Sequence, residues 1–537
     1  MGSLLNKLNG SIEKLGILGI LTIFILAYPI FPKKLSYEFP SLHGTVDNLW
    51  FDNFIVQAVK SENLLKKPYF MSGVDSLHAQ PMLFFSSIYL ISKFTNIQPW
   101  NLEYGFILLL MLFSSILFFF FLYNFNKKVA FLSLPCLYLL WTLYFSLGVL
   151  WGQWMDVTGL SFLVVSLYFY SLLVRRKIEI NKKICIFLSL LVAGMISSHL
   201  EYLYFIFTIM IWIAGNAILD RKNFLDDKHN IRLISLFVLS FVFGILFAFD
   251  NFFRVMMSFG KGAGKLVTFK PILGKRLGAH EPSFFDFGIL APIIALGVFF
   301  SFIYIWQKRK IPFEFSAGFC SLIVGFGNFF GFSKYYEPRF YWPLFLSIFF
   351  GYCLYILLSS IRKIDWKYIL PASFIISILV VIIFFGKVPT PFTLVTKYDW
   401  EIFKWISKNT DGNASILYLW GDNWYQDKIF WYGERKSYLI DRNNFIKGNL
   451  VAKFVGECGV RRKGILYKSV CPHEFLPTEI NISNLENFKN FDYIVSWKIS
   501  SYPLITEKIN KIIGDLIENN ITTIIYQNKY IVVMKRL

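Results

Sequence analysis

Carboxylate side chains lie beside several long apolar segments of the sequence, where a charge is costly unless it is paired or solvated. Asp47 and Asp52 follow the first apolar segment, and Asp156 immediately precedes a later one. A carboxylate at such a boundary can act as a general base toward a hydroxyl or an amine, or it can hold a divalent cation on a phosphate. Asp47 and Asp52 are therefore the predicted catalytic residues, and which of them is the base stays open.

Further ionisable side chains fall at the same boundary and are predicted to bind substrate. They are Asp156, His199, Glu201, Glu337 and Arg339. The alternative interpretation of each is a solvated charge at the edge of the membrane. If the site holds a metal ion, the predicted ligands are Asp52 and Asp156, and the predicted ion is Mg²⁺ or Mn²⁺. The sequence contains no cluster of His and Cys residues that is typical of zinc.

A long polar segment, residues 250–288, carries six Lys and Arg residues against three acidic ones. Such a loop can form a cationic entrance for an anionic lipid headgroup or a lipid phosphate. Lys265 and Lys270 are the predicted phosphate-binding residues in it, and glycines at 260, 262 and 264 would allow it to move. The alternative is a solvated connector between two membrane spans.

The apolar segments around these residues indicate an integral membrane protein. The 537-residue chain is 55% hydrophobic and 16% charged, whereas about 25% of the residues of soluble domains are charged. Eleven segments are predicted to span the membrane. They cover residues 15–32, 104–123, 129–149, 157–174, 184–198, 203–219, 233–249, 289–306, 312–332, 340–360 and 368–386. A shorter apolar stretch, 82–94, is predicted to be an interfacial helix.

The distribution of Lys and Arg predicts how the chain is oriented. These residues cluster in alternate short connections, as the positive-inside rule requires, so the net charge of +20 does not imply a nucleic-acid partner. With the amino terminus inside, residues 33–103, 250–288 and everything after 387 face the outside. The sequence therefore predicts a multi-pass protein of the plasma or bacterial inner membrane.

The predicted fold is a polytopic α-helical membrane module over residues 1–387, followed by an extracytoplasmic α/β domain over residues 388–537. In that domain, apolar patterns predict helices at 400–409 and 504–518, strands at 415–420 and 493–497, and a hairpin over 522–534. Cys458 and Cys471 either close a loop as a disulfide or are free thiols.

The order of these features resembles the GT-C class of membrane glycosyltransferases, in particular the branch of protein mannosyltransferases and lipid A aminoarabinose transferases. The shared features are an outer first loop with aspartates, Pro81 before an interfacial helix, Asp156 before a later span, and the stretch Arg339-Phe-Tyr-Trp-Pro-Leu344. The resemblance implies an inverting glycosyltransferase that moves a sugar from a polyprenyl-phosphate donor to a glycan, lipid or protein acceptor on the outer face of the membrane.

The resemblance also implies roles for individual residues. Asp47 or Asp52 would deprotonate the acceptor, while Arg339 and the basic loop would neutralise the departing lipid phosphate. Asp47, Asp52 and Asp156 are expected to line one outer cavity.

Two other functions compete with this one. A lipid or glycan transporter or flippase would carry ionisable residues at mid-membrane depth or inverted repeats, and neither pattern is present in the predicted spans. A non-catalytic assembly protein on the same scaffold is the second alternative.

Overall fold

The computed structural model describes residues 38–40, 46–141, 154–259, 284–326, 341–361, 366–385, 394–421, 429–464 and 466–537. The predicted first span, 15–32, lies outside these residues, as do Lys265, Lys270, Glu337 and Arg339. Asp47 belongs to a described helix, but its side chain lies outside the description.

The first outer segment combines helices with two very short strands. It contains α1 (Val46–Ser61), β1 (Lys66–Lys67), α2 (Tyr69–Ser72), β2 (Ser76–Leu77) and α3 (Leu83–Thr95). Helix α3 corresponds to the apolar stretch predicted at 82–94, and its interfacial location stays a prediction.

A helical bundle follows. It comprises α4 (Pro99–Phe125), α5 (Lys127–Leu137), α6 (Trp154–Val174), α7 (Lys182–Ser198), α8 (Glu201–Leu219), α9 (Arg221–Asp226), α10 (Lys228–Phe247), α11 (Phe249–Phe259), α12 (Leu290–Lys308), α13 (Phe313–Gly325), α14 (Trp342–Ser359) and α15 (Trp366–Phe385). Short 3₁₀ helices lie at Tyr138–Trp141 and Phe284–Phe287.

Six of the described helices, α4, α6, α8, α10, α12 and α14, are long and apolar enough to cross a membrane. The chain is therefore an integral membrane protein, and the count of eleven spans stays a prediction. Small residues let neighbouring helices approach closely. A Cβ at Gly297 in α12, for example, would overlap the backbone of Phe349 in α14.

The carboxyl-terminal part is a mixed α/β unit. Its elements are α16 (Lys397–Asn409), β3 (Ser415–Trp420), a 3₁₀ helix (Ile429–Gly433), β4 (Lys436–Ile440), α17 (Arg442–Lys447), β5 (Val451–Phe454), β6 (Gly459–Lys463), β7 (Leu466–Val470), 3₁₀ helices at Pro472–Glu474 and Leu485–Asn490, β8 (Glu479–Asn481), β9 (Tyr493–Trp497), α18 (Pro503–Glu518), β10 (Thr522–Gln527) and β11 (Ile531–Arg536). The helices, strands and hairpin predicted for this region are confirmed.

Seven of these strands form one sheet, in the order β10-β11-β9-β3-β4-β5-β8. Strand β3 runs parallel to both β4 and β9, whereas the other pairs are antiparallel. Helix α16 begins at a capping box, in which the side chain of Thr396 accepts a hydrogen bond from the backbone of Asp399. Its apolar face, Ile402, Phe403 and Ile406, is buried under the sheet core.

A second sheet joins the first outer segment to the carboxyl-terminal unit. Its strands are antiparallel in the order β1-β2-β6-β7, and Leu77 pairs with Val460. The buried Lys67 ammonium donates to the backbone oxygen of Cys458 at 3.1 Å. Cys458 and Cys471 form a disulfide at the base of the β6–β7 hairpin, which decides the alternative that the sequence left open.

The two regions also exchange core residues. Trp431, from the 3₁₀ helix of the carboxyl-terminal unit, is fully buried in the core of the helical bundle. Leu49, from α1, is fully buried in the core beneath the large sheet. The predicted units 1–387 and 388–537 are therefore joined by shared packing.

Candidate active site

Asp52 lies in the middle of α1, and its side chain has no exposed surface. Its place beside an apolar segment predicted a charge at the edge of the membrane, but the structure buries Asp52 completely. The helix already begins at Val46, and the carboxyl-terminal unit covers the face that carries Asp52.

The two oxygens of the Asp52 carboxyl differ in their contacts. The hydroxyl of Tyr432 donates a hydrogen bond to Oδ2, whereas Oδ1 is buried and has no hydrogen-bond partner among the residues that the structure describes. Burial raises the pKa of Asp52 to about 7, and the hydrogen bond from Tyr432 opposes part of that rise. A general base works best when its pKa is near the operating pH.

A second carboxylate lies beside Asp52. Glu103, near the start of α4, is completely buried and interacts electrostatically with both Asp52 and Tyr432. The sequence analysis missed this residue. The other acidic residues were selected because they lie beside an apolar segment. Glu103 meets the same criterion, because it immediately precedes an apolar run that was predicted to start at 104.

Aromatic rings enclose these carboxyl groups and keep water away. The Tyr432 ring lies 5.3 Å from that of Trp400, which lies 5.6 Å from that of Trp100. On the other side of α1, Phe51 packs against Trp154 at 5.8 Å. Trp154 begins helix α6, so this aromatic contact links the surroundings of Asp52 to the segment that carries Asp156.

Asp156, His199 and Glu201 form a second group. One donor atom of each residue lies within 4.8 Å of the others, and His199 Nδ1 is 2.6 Å from Asp156 Oδ1. Asp156 is in the first turn of α6, His199 follows α7, and Glu201 begins α8. The start of α6, the end of α7 and the start of α8 thus meet at one place, and that is why residues distant in sequence converge.

Two buried oxygen atoms of this group have no hydrogen-bond partner in the part of the chain that the structure describes. The first is Oε2 of Glu201, a residue that is 6% exposed. Gly159 makes room for this carboxylate, since a Cβ there would overlap Glu201 Oε2. Tyr341, which interacts electrostatically with Asp156 and Glu201, also has a buried hydroxyl without a partner.

The imidazole of His199 is held charged by its neighbour. Burial favours the neutral ring, but the carboxylate of Asp156 and its hydrogen bond outweigh burial and raise the pKa of His199 to about 9. A metal ion binds the neutral ring, so its binding would displace this proton; one neutral imidazole and two carboxylates are a donor set that suits a divalent ion such as Mn²⁺ or Zn²⁺. Of the two predicted metal ligands, Asp156 belongs to this group, whereas Asp52 belongs to the group around Tyr432.

Arg254, counted in the sequence as one of six cations of the outer loop, has an internal role. It is 1% exposed, and its Nη1 donates to the backbone oxygens of His78 at 2.8 Å and Gln80 at 2.9 Å. Nη2 donates to Asn251 at 2.7 Å. Burial, with Lys67 and Arg254 nearby, lowers the pKa of His78 well below its usual value. Arg254 therefore anchors α11 to the first outer segment.

Comparison with known proteins gives matches in structure alone. No family model and no curated protein matches the sequence. ArnT from Cupriavidus metallidurans in the apo state matches with a TM-score of 0.55 and 11% identity, covering 96% of this chain and 98% of that chain. The same protein bound to undecaprenyl phosphate matches with a TM-score of 0.52, 10% identity and the same coverage.

The oligosaccharyltransferase of Archaeoglobus fulgidus, tethered to an acceptor peptide with an NVT sequon, matches with a TM-score of 0.50 and 10% identity. That match covers 78% of this chain, which spans 63% of the length of the archaeal enzyme. ArnT and the archaeal enzyme are both GT-C glycosyltransferases. The chain therefore has the fold of the GT-C membrane glycosyltransferases.

Proposed function

We propose that the chain is an inverting glycosyltransferase that moves a sugar from a polyprenyl-phosphate donor to a glycan, lipid or protein acceptor. The observation that carries the proposal is the buried carboxyl of Asp52, which has one oxygen held by Tyr432 and one oxygen that no described residue contacts by a hydrogen bond. A buried polar atom without a partner calls for an explanation, and a proton from the acceptor supplies one. The fold shared with ArnT, which was solved bound to undecaprenyl phosphate, supports a lipid-linked donor.

The reaction is a single displacement. The acceptor hydroxyl or amine donates its proton to Asp52 Oδ1 while its oxygen or nitrogen attacks the anomeric carbon of the donor. The bond from that carbon to the phosphate oxygen breaks, and polyprenyl phosphate leaves with the bonding electrons. Attack on the face opposite the leaving group inverts the configuration at the anomeric carbon. Because Asp52 has no exposed surface, the acceptor reaches Oδ1 only when a covering group moves.

Positive charge is needed where the phosphate leaves. Arg339, Lys265 and Lys270 are the residues proposed for this task, with Glu337 beside them in sequence. We also propose that Asp156, His199 and Glu201 hold a divalent cation, which supplies Lewis-acid charge for a phosphate oxygen when it is bound. The donor set fits an ion because Glu201 Oε2 is buried and accepts no hydrogen bond from any described residue.

The cation proposal predicts direct binding. Purified protein in detergent, titrated with Mn²⁺ and followed by electron paramagnetic resonance, should bind one ion per chain. Glu201→Gln and His199→Asn should each weaken that affinity by about tenfold or more, because each removes a ligand. His473→Asn, at an exposed histidine, is the control and should bind as the wild type does. Unchanged Mn²⁺ affinity in both ligand variants would contradict the cation site.

We propose that the carboxyl-terminal unit faces the outside of the membrane. The disulfide between Cys458 and Cys471 supports this orientation, because disulfides persist in oxidising compartments. The clustering of Lys and Arg in alternate connections supports it as well. The first outer segment pairs with the unit through β2 and β6, so both lie on the same side.

The function can be tested with lipid extracts. Cells that lack the protein should accumulate a polyprenyl-phosphate sugar, and purified protein in liposomes should release free polyprenyl phosphate from that lipid in the presence of the acceptor. A flippase would change the sidedness of the lipid without releasing polyprenyl phosphate. Unchanged lipid pools in the deletion cells, together with no release by the purified protein, would overturn the proposal.

A further inference from the structure

We infer that Tyr432, which comes from the carboxyl-terminal unit, is a positioning residue for Asp52, so that this unit completes the site where the acceptor loses its proton. The inference rests on the proposed function. It assigns a task to a residue that neither the sequence motifs nor the shared fold pointed to.

The first support is the contact itself. The Tyr432 hydroxyl donates to Asp52 Oδ2 across 380 residues of sequence, and both side chains are buried. A carboxylate can rotate, and holding one oxygen fixes the direction of the other. The contact therefore aims Oδ1, the oxygen without a partner, at one place. A base oriented by a third group is a common arrangement in enzymes that activate a nucleophile.

The second support is that Tyr432 is held firmly. Its ring packs against Trp400 at 5.3 Å and Phe403 at 6.2 Å, both on α16. The preceding residue, Trp431, donates from its indole Nε1 to the backbone oxygen of Val455 at 3.0 Å. Because the Tyr432 ring is packed in this way, its hydroxyl can hold the carboxylate of Asp52 in one orientation. A tyrosine ring that was free to move would not restrain it.

The third support is a second attachment between the same two elements. Glu434, two residues after Tyr432, pairs with Lys60 on α1 and accepts a hydrogen bond from Gln57 at 3.2 Å. The 3₁₀ helix and the residue that follows it thus contact α1 at two places, at Asp52 through Tyr432 and at Lys60 through Glu434. Two contacts along one helix restrain both the distance and the rotation between α1 and the 3₁₀ helix.

Two titratable groups face Asp52 among the described residues. Glu103 approaches from α4, and Tyr432 approaches from the 3₁₀ helix. The Lys60–Glu434 pair lies eight residues further along α1, roughly 12 Å at the helical rise. A hydroxyl donor stabilises the ionised carboxylate, so removing it makes the base harder to ionise.

The test is the pH profile of sugar transfer. The acid limb should have its midpoint near 7 in the wild type, where Asp52 titrates. Tyr432→Phe should move this midpoint upward by about one to two pH units, because a hydrogen bond to a charged group is lost. Activity should then recover at high pH. Tyr418→Phe is the matched control, since it removes a buried hydroxyl without a partner from the same unit.

A second variant tests the opposite direction while keeping the volume of the side chain. Difluorotyrosine at position 432 is a stronger hydrogen-bond donor, so the acid limb should move to lower pH. An unmoved midpoint in both variants overturns the inference, and so does a uniform loss of activity at every pH. If the wild-type protein releases no polyprenyl phosphate, the proposed function fails instead, and the two failures are thereby distinguished.

Discussion

Replacing Asp52 by asparagine is expected to reduce sugar transfer by about 10²- to 10⁴-fold, the usual contribution of a general base. Asparagine has nearly the same shape and still accepts a hydrogen bond from Tyr432, but it cannot take the proton of the acceptor. The measurement is the initial rate of polyprenyl phosphate release at saturating donor. Binding of the donor should change little, because the base acts on the acceptor.

Asp52→Asn should leave the protein at least as stable as the wild type. The pKa of Asp52 is raised from 3.8 to about 7, so between these values the folded protein keeps a proton that the unfolded chain has lost. Stability from this group therefore falls as the pH rises through that range. Asparagine does not titrate, so the variant does not lose stability in this way. The melting temperature of Asp52→Asn at pH 7 or above should therefore equal or exceed that of the wild type.

Two aspartates serve as controls for the assignment of the base. Asp75→Asn changes an exposed carboxylate in the same outer segment and should keep full activity. Asp47→Asn addresses the alternative that the sequence left open. Full activity of Asp52→Asn together with loss in Asp47→Asn would transfer the role of base to Asp47, and two active variants would end the proposed catalytic role of both.

Trp431→Ala is expected to destabilise the whole protein by about 3–5 kcal/mol, the usual cost of removing a fully buried tryptophan. Trp431 has no exposed surface, packs in the core of the helical bundle and bonds to Val455. Its loss opens a cavity where the two regions meet. Thermal unfolding in detergent should show one lowered transition that includes both the bundle and the sheet.

Phe475→Ala is the control for this stability measurement. Phe475 is also aromatic and belongs to the same unit, but it is 54% exposed. Its truncation should change the free energy of unfolding by less than about 1 kcal/mol. Separate transitions for the bundle and the sheet in Trp431→Ala, with only the sheet affected, would mean that the two regions unfold independently.

Local patterns allowed much of the fold to be predicted. Helix α16, strands β3 and β9, and the β10–β11 hairpin follow from apolar periodicity within a few residues, and they are present. Strands β1 and β2 have two residues each, which is too short for any alternation, and they exist only because β6 and β7 extend their sheet. The sequence analysis did not predict the burial of Asp52, because Tyr432, which covers its carboxyl group, is far away in the sequence.

The candidate site also contains residues that the sequence indicates and residues that it does not. Asp156, His199 and Glu201 could be grouped in advance because each lies where a predicted span meets the same side of the membrane. The sequence does not single out Tyr432, because it ends a short aromatic run, residues 430–432, that has no helical or strand periodicity. A contact that joins distant segments depends on tertiary packing, which the neighbouring residues do not encode.

The separation of 380 residues between Asp52 and Tyr432 has a consequence for biosynthesis. At about 5–20 residues per second, a ribosome needs roughly 20–80 s to reach Tyr432 after it has made Asp52. During that interval α1 has already been translated, but Tyr432, which contacts the Asp52 carboxyl group, has not yet been made. On the proposed function, a chain that ends before Tyr432 lacks the hydrogen bond that orients Asp52, and it is not expected to transfer sugar.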